Sequence, residues 1–175
     1  GLELAQRMVT TAPEKAQRHM NNAMDGANRA ADLTRRLLAF ARSEPARPEM
    51  TIIDECITGF AELIERTIGD RIALTLDLHA SGLACWVDRQ QFENALLNLS
   101  VNARDAMEGH GSLTIRTLRD EQEEAAALAV QVIDTGCGMA PEVLERVFDP
   151  FYTTKPAGQG TGLGMSQVFA FCRQS

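Results

Sequence analysis

Glycines occupy every second position at 158, 160, 162 and 164 of "FYTTKPAGQGTGLGMSQ" (residues 151–167), and an apolar, helix-like run follows them. A flexible glycine-rich loop that enters a helix suits an anion, because exposed backbone N–H groups and the helix dipole both favour phosphate. Glycine also lets the backbone approach a ligand closely and take φ > 0. The spacing is not that of a P-loop, which needs Lys-Ser/Thr after its last glycine. Nor is it G-x-G-x-x-G, because Leu163 and Met165 stand where that pattern would continue. Taken alone, a mobile surface loop would read the same way.

Two further groups lie upstream. In "DTGCGM" (134–139) an aspartate at a strand end precedes two glycines. A carboxylate there can accept a hydrogen bond from an amine such as that of adenine, and Gly136 and Gly138 leave room for a flat ring. An ordinary strand-to-helix turn would also fit. In "ENALLNLSVNARDAM" (93–107), Asn98, Asn102 and Asp105 fall three or four residues apart, which stacks them on one helix face. Such polar side chains could simply face water, but Asn94, Asn98 and Asn102 keep strict i, i+4 spacing. An asparagine oxygen is a hard ligand that can join phosphates and waters around Mg²⁺.

The elements that must position these groups are legible from periodicity. Residues 1–10 and 14–42 read as two helices joined at Thr11-Ala12-Pro13; Met20, Met24, Ala27, Ala30, Ala31, Leu37 and Leu38 recur at helical steps. Pro45 and Pro48 mark the end of the hairpin and a connector. So thin a hairpin cannot hide its own apolar stripe and is expected to dimerise as a four-helix bundle. Beyond Met50 come a short helix (54–67), a strand (71–78), a short strand at Trp86-Val87 and a long helix from Asp88 to about Met107. That helix carries Phe92, Leu96, Leu99 and Ala103 on one face. Strands at 112–118 and 128–134 flank an acidic tip around "DEQEE", and helices follow at 141–146 and 163–173. The expected fold is α+β: residues 1–46 as a helical hairpin, and residues 50–175 as a mixed sheet covered by helices.

Bulk properties narrow the partners. A length of 175 residues suits one domain or a small domain with a helical attachment, and 45% apolar residues suffice for a core. One Trp and one Tyr give no base-stacking surface, and a net charge of −7 argues against nucleic acid, which needs a basic face. A single nucleotide, held by one local site, is still permitted. Cys56, Cys85, Cys137 and Cys172 form no C-x-x-C and read as reduced cytosolic thiols. No run of 18 apolar residues occurs, so no direct membrane contact is expected.

The order of Asn98/Asn102, "DTGCGM", "FDPFYTTK" (148–155) and "GQGTGLGM" resembles the ATP-binding domain of sensor histidine kinases, over roughly residues 50–173. "NARDAM" and the "YTTKP" to "GTGLGM" run are most similar to the hybrid and nitrogen-regulation types. The first 46 residues look like part of the dimerisation and phosphotransfer hairpin. The resemblance implies a Bergerat-type α/β sandwich that binds ATP and Mg²⁺. Asp134 would contact the adenine amine, while Gly136, Gly138 and Met139 would shape its pocket. Asn98 and Asn102 would be the catalytic pair, Asn102 holding Mg²⁺ on the phosphates with Asp105 alongside. Gly160, Thr161, Gly162, Leu163 and Gly164 would cradle the phosphates, and Phe151, Thr154 and Lys155 would belong to the ATP lid. Phe148 and Phe151 would serve that lid as apolar anchors.

The resemblance further implies transfer of the γ-phosphate to a histidine and onward to a response-regulator receiver aspartate, in a cytoplasmic homodimer. Hydrolysing relatives, of gyrase and mismatch-repair type, resemble this fold with a glutamate four residues before the metal asparagine. Here that position is Asn98, which cannot act as a base on water. The family's phosphoacceptor lies on the first helix; His19 has the wrong neighbours for it, so no acceptor is expected within these residues and the chain alone is not expected to phosphorylate itself. The family also continues past "FCRQS" with a glycine turn and two strands, and the chain is therefore read as ending short of a complete catalytic domain.

Overall fold

The computed structural model describes residues 15–24, 26, 47–120, 127–156 and 160–175. The chain divides into two compact units, Gly1–Glu44 with Ala157–Gln159 and Pro45–Pro156 with Gly160–Ser175. In the first unit residues 15–24 are helical, as their spacing predicts, and Met24 is exposed. Residues 1–10, the Thr11–Pro13 turn, most of the second helix, the acidic tip at 121–126 and Gly158 lie outside the described residues.

The second unit begins with a strand that the periodicity does not predict, β1 (Glu49–Ile52). Four residues are too few for an alternation to declare itself, and the strand exists because β3 (Ala84–Val87) pairs with it antiparallel, Met50 opposite Trp86. Between them run helix α1 (Ile53–Ile68) and strand β2 (Ile72–Leu78). Helix α2 (Arg89–Ala106) follows, then β4 (Gly111–Asp120) and β5 (Ala127–Asp134). β2 and β4 pair in parallel, and β4 and β5 antiparallel, making a mixed three-stranded sheet beside the two-stranded ladder. The parallel pair needs a crossover, and α2 supplies it. The three-stranded sheet is the mixed sheet expected, and the antiparallel β1–β3 ladder is additional to it.

Helices cover one face of the larger sheet. α1 turns Ile53, Ile57, Ile64 and Ile68 inward at helical spacing; β4 contributes Leu113 and Ile115, and β5 the half-buried Leu128, Val130 and Val132. Ile57, Ile64, Leu113 and Ile115 are fully buried, each contributing roughly 1.5–3 kcal/mol of transfer free energy. α2 buries Phe92, Leu96 and Ala103 as expected, but Leu99 is only half-buried and Ser100 is fully buried instead. The Ser100 hydroxyl is satisfied by donating to the Leu96 carbonyl at 2.8 Å.

Two contacts fix α2 in place. Asp88 caps its N-terminus, accepting from the Gln91 amide at 3.0 Å, and also takes the Arg47 amide at 2.8 Å. Near the other end, the Arg104 guanidinium donates to the Thr67 carbonyl at 3.1 Å and so closes the last turn of α1. The helix predicted over 141–146 is shorter, α3 (Pro141–Leu144). Beyond it the amides of Arg146 and Asp149 bond three residues back, a tighter winding than α-helix. Helix α4 (Gly164–Gln174) closes the fold against α2, with Phe171 near Phe92.

Candidate functional site

On α2, Asn98, Asn102 and Asp105 are all half-buried, beside the stripe that enters the core. Lys155 reaches them: its ammonium donates to Asp105 Oδ2 at 2.5 Å and to Asn102 Oδ1 at 3.4 Å. Asp105 Oδ1 is held from the other side by Arg104 at 2.8 Å. Burial alone would raise the Asp105 carboxyl, but the hydrogen bonds from Lys155 and Arg104 outweigh it and hold the group below the usual carboxylate range. Asn98 Nδ2 donates to Gln167 Oε1 on α4 at 3.1 Å.

The start of α4 lies against the same asparagines. A Cβ built on Gly164 would stand 3.5 Å from Asn98 Oδ1 and 3.8 Å from Asn102 Nδ2. Leu163, 2% exposed, occupies the N-cap position without a side-chain cap. The Ser166 hydroxyl donates to the Leu163 carbonyl instead of accepting from an amide. Among the described residues the first-turn N–H groups of α4 thus have no side-chain cap, and they keep the positively polarised character that attracts anions.

Gly162 packs closely against the backbone of Phe151. Its φ is +65°, and a Cβ there would lie 2.3 Å from the Phe151 carbonyl carbon. The Phe151 amide donates to the Gly162 carbonyl at 2.9 Å, and Phe151 itself has φ +68°. Phe151 is thus held through its backbone, and the residue is 56% exposed. Phe148 stacks on Phe169 at 5.1 Å between centroids. Gly160 and Thr161 are half-buried, and Thr154 is exposed with no side-chain hydrogen bond among the described residues.

The third group sits at the end of β5. Asp134 is exposed, and its Oδ1 accepts from the Gly136 amide at 2.8 Å, leaving Oδ2 without a partner among the described residues. Gly136 presses on the end of α2: a Cβ would meet the Ala106 backbone at 2.8 Å, and the Cys137 amide donates to the Ala106 carbonyl at 3.1 Å. Gly138 (φ +69°) and Met139 follow, both exposed. Ala106 is one helical turn past Asn102, so the Asp134 turn and the Asn102–Lys155 cluster share the end of one helix.

Sequence reasoning missed Gln167 and Arg104, which hold Asn98 and Asp105. Gln167 falls three residues after Gly164, on the first turn of a helix opened by glycine; that position is the signal that could have found it. Asn102 Oδ1 and the Asp105 carboxylate are hard oxygen donors already facing a cation, so the chemistry fits Mg²⁺. No cluster of three His, Cys, Asp or Glu side chains occurs among the described residues. A bound ion would therefore need oxygens from its ligand as well.

A helix-covered mixed sheet, with a glycine loop running into a helix beside two asparagines, defines a Bergerat-type α/β sandwich. Residues 87–174 match the family described as histidine kinase-, DNA gyrase B-, and HSP90-like ATPase, and the chain belongs to that family. It is 40% identical over 168 residues to the sensor kinase CckA of Brucella abortus (strain 2308), covering 88% of this chain and 18% of the relative. It is 32% identical over 155 residues to the C4-dicarboxylate transport sensor protein DctB of Rhizobium meliloti (strain 1021), covering 87% and 24%. The structure is similar to the catalytic domain of histidine kinase ThkA, with a TM-score of 0.61 and 27% identity over 73% of this chain and 81% of that one. The chain is thus homologous to the ATP-binding catalytic domain of two-component sensor kinases, and it spans only about a fifth of the curated relatives' length.

Proposed function

We propose that this chain binds ATP with Mg²⁺ and holds the γ-phosphate for transfer to a histidine, from which a response-regulator receiver aspartate takes it. The observation that carries the reading is convergence: α2, the 151–155 segment and the start of α4 bring Asn98, Asn102, Asp105, Lys155 and open amides to one place. Polyphosphate would lie at the α4 N-terminus, on the amides of residues 162–164, with Gly160 and Thr161 beside it. Asn102, with Asn98, would hold Mg²⁺, which neutralises phosphate charge when bound. Asp134 Oδ2 would accept from the adenine amine, with Gly136, Gly138 and Met139 lining the ring's pocket. With little covalent chemistry for the domain to perform, positioning and charge stabilisation would supply the catalysis.

Hydrolysis is not favoured by these residues. Asn98 carries no base, and its amide is engaged by Gln167. The helical residues before the connector would pair with a second copy as a four-helix bundle. Among the described residues no helix is long and apolar enough to cross a membrane. We place the domain in the cytoplasm, in keeping with four unpaired cysteines.

Calorimetric titration with ATP and GTP, each with and without Mg²⁺, tests the site. Selective ATP binding that Mg²⁺ strengthens is the expected result; equal affinity for both nucleotides would refute the adenine assignment.

A further inference from the structure

The least expected feature of the site is that it already contains a cation. Lys155 places its ammonium 2.5 Å from Asp105 Oδ2 and 3.4 Å from Asn102 Oδ1, so it uses the oxygen that the proposed function gives to the metal. Two positive groups, Lys155 and Arg104, flank the single carboxylate of Asp105. The lysine is tightly placed, with its side chain 31% exposed and that of Asp105 30% exposed. A carboxylate partner at this distance offsets much of the ammonium's charge and competes for it with any further anion, while one of its three N–H groups stays available.

We propose that Asp105 and Lys155 together set how far nucleotide binding depends on a divalent metal, Asp105 being a positioning residue that acts through Lys155. In the structure the ammonium is engaged by Asp105 and by the Asn102 oxygen. A polyphosphate arriving without metal competes with Asp105 for the charge of Lys155. A polyphosphate arriving with Mg²⁺ brings its own charge and needs only the Asn102 oxygen, which Lys155 can release while keeping its bond to Asp105. The carboxylate therefore discriminates against metal-free nucleotide, and the lysine is the residual cation that such a nucleotide can recruit. This inference rests on the proposed nucleotide site and deepens it.

The two residues must then act with opposite sign on one quantity, the ratio of the ATP dissociation constant in EDTA to that in excess Mg²⁺. Lys155→Met removes the only charge that metal-free ATP could recruit from this segment and should raise the ratio about tenfold, the effect of losing one charge-assisted hydrogen bond. Asp105→Asn releases the ammonium and should lower the ratio several-fold, chiefly by tightening metal-free binding. Lys155→Arg, which keeps the charge, should stay near the wild-type value. A purely structural loss in any variant weakens both affinities alike and leaves the ratio where it was. The proposal is overturned if the ratio is unchanged in Lys155→Met and Asp105→Asn, or moves the same way in both. A wild-type chain that binds no ATP even with Mg²⁺ would instead bring down the underlying nucleotide site, and this inference with it.

Discussion

At Gly162 the backbone has a positive φ and no space for a side chain, since a Cβ would lie 2.3 Å from the Phe151 carbonyl carbon. Gly162→Ala must therefore shift the chain at Phe151, whose amide bonds the Gly162 carbonyl. We expect a loss of about 1–3 kcal/mol in stability, read by urea unfolding, with ATP affinity falling at least tenfold. Asp134 stands apart from that strain, exposed and with one oxygen engaged by Gly136. Asp134→Ala should abolish the preference for ATP over GTP while the fold persists; retention of the wild-type margin in a competition titration would refute the role. Asp105 carries a pH signature. Its carboxyl is held below the ordinary range, so its contribution to stability is full above the unfolded value near 4 and is lost as pH falls through the lower folded value. The stability gap between wild type and Asp105→Asn should be constant near neutrality and close in acid. A gap that instead widened below pH 4 would contradict the Lys155 pairing.

Elements owe their placement to a few buried polar bonds as much as to the core. Thr117 on β4 is fully buried, donating to Asp54 Oδ1 on α1 at 2.8 Å and accepting from the amides of His79 and Ala80 at 2.9 and 3.2 Å. One hydroxyl thus ties together β4, the first turn of α1 and the chain leaving β2. Thr117→Val keeps the shape and strands those groups, and should cost about 1–3 kcal/mol in denaturant unfolding. α2 depends likewise on Asp88, whose carboxyl is lowered first by the Arg47 amide and then by that of Gln91. Asp88→Ala should cost about 1 kcal/mol. Since α2 carries Asn98, Asn102 and Asp105, fraying its start should weaken nucleotide binding less than stability, because the proposed site lies in its C-terminal half.

For the whole molecule, the proposed nucleotide site would link binding to folding, since a ligand held by groups from four elements has nothing to bind in the unfolded chain. ATP with Mg²⁺ at about one hundred times its dissociation constant should add roughly 2.7 kcal/mol to unfolding, visible as a higher melting temperature. His19 lies on the helical residues 15–24 and lacks the acceptor pattern. Incubation with labelled ATP should leave it unlabelled, whereas a supplied helical hairpin carrying an acceptor histidine should be labelled. Acid-labile phosphate on His19 would reverse that assignment. Light scattering at tens of micromolar reads the proposed dimer directly.

Periodicity and residue chemistry were enough to place α1, α2, α4, β2, β4 and β5, because each is long enough for a 3.6 or 2-residue repeat to show. They also singled out the asparagines, the Asp134 turn and the glycine loop as candidates, since nucleotide-binding chemistry needs particular side chains or none at all. β1 escaped because four residues acquire strand structure only by pairing with β3. The shortening of α3 escaped because the winding that ends it is local geometry that the sequence pattern does not mark. The Lys155–Asp105–Asn102 cluster and the Asn98–Gln167 bond join residues about 50 to 70 positions apart. Which charge meets which oxygen across such separations is set by how α2, α4 and the 151–155 segment pack. Periodicity along one chain carries no record of that, and so the tertiary structure decided it.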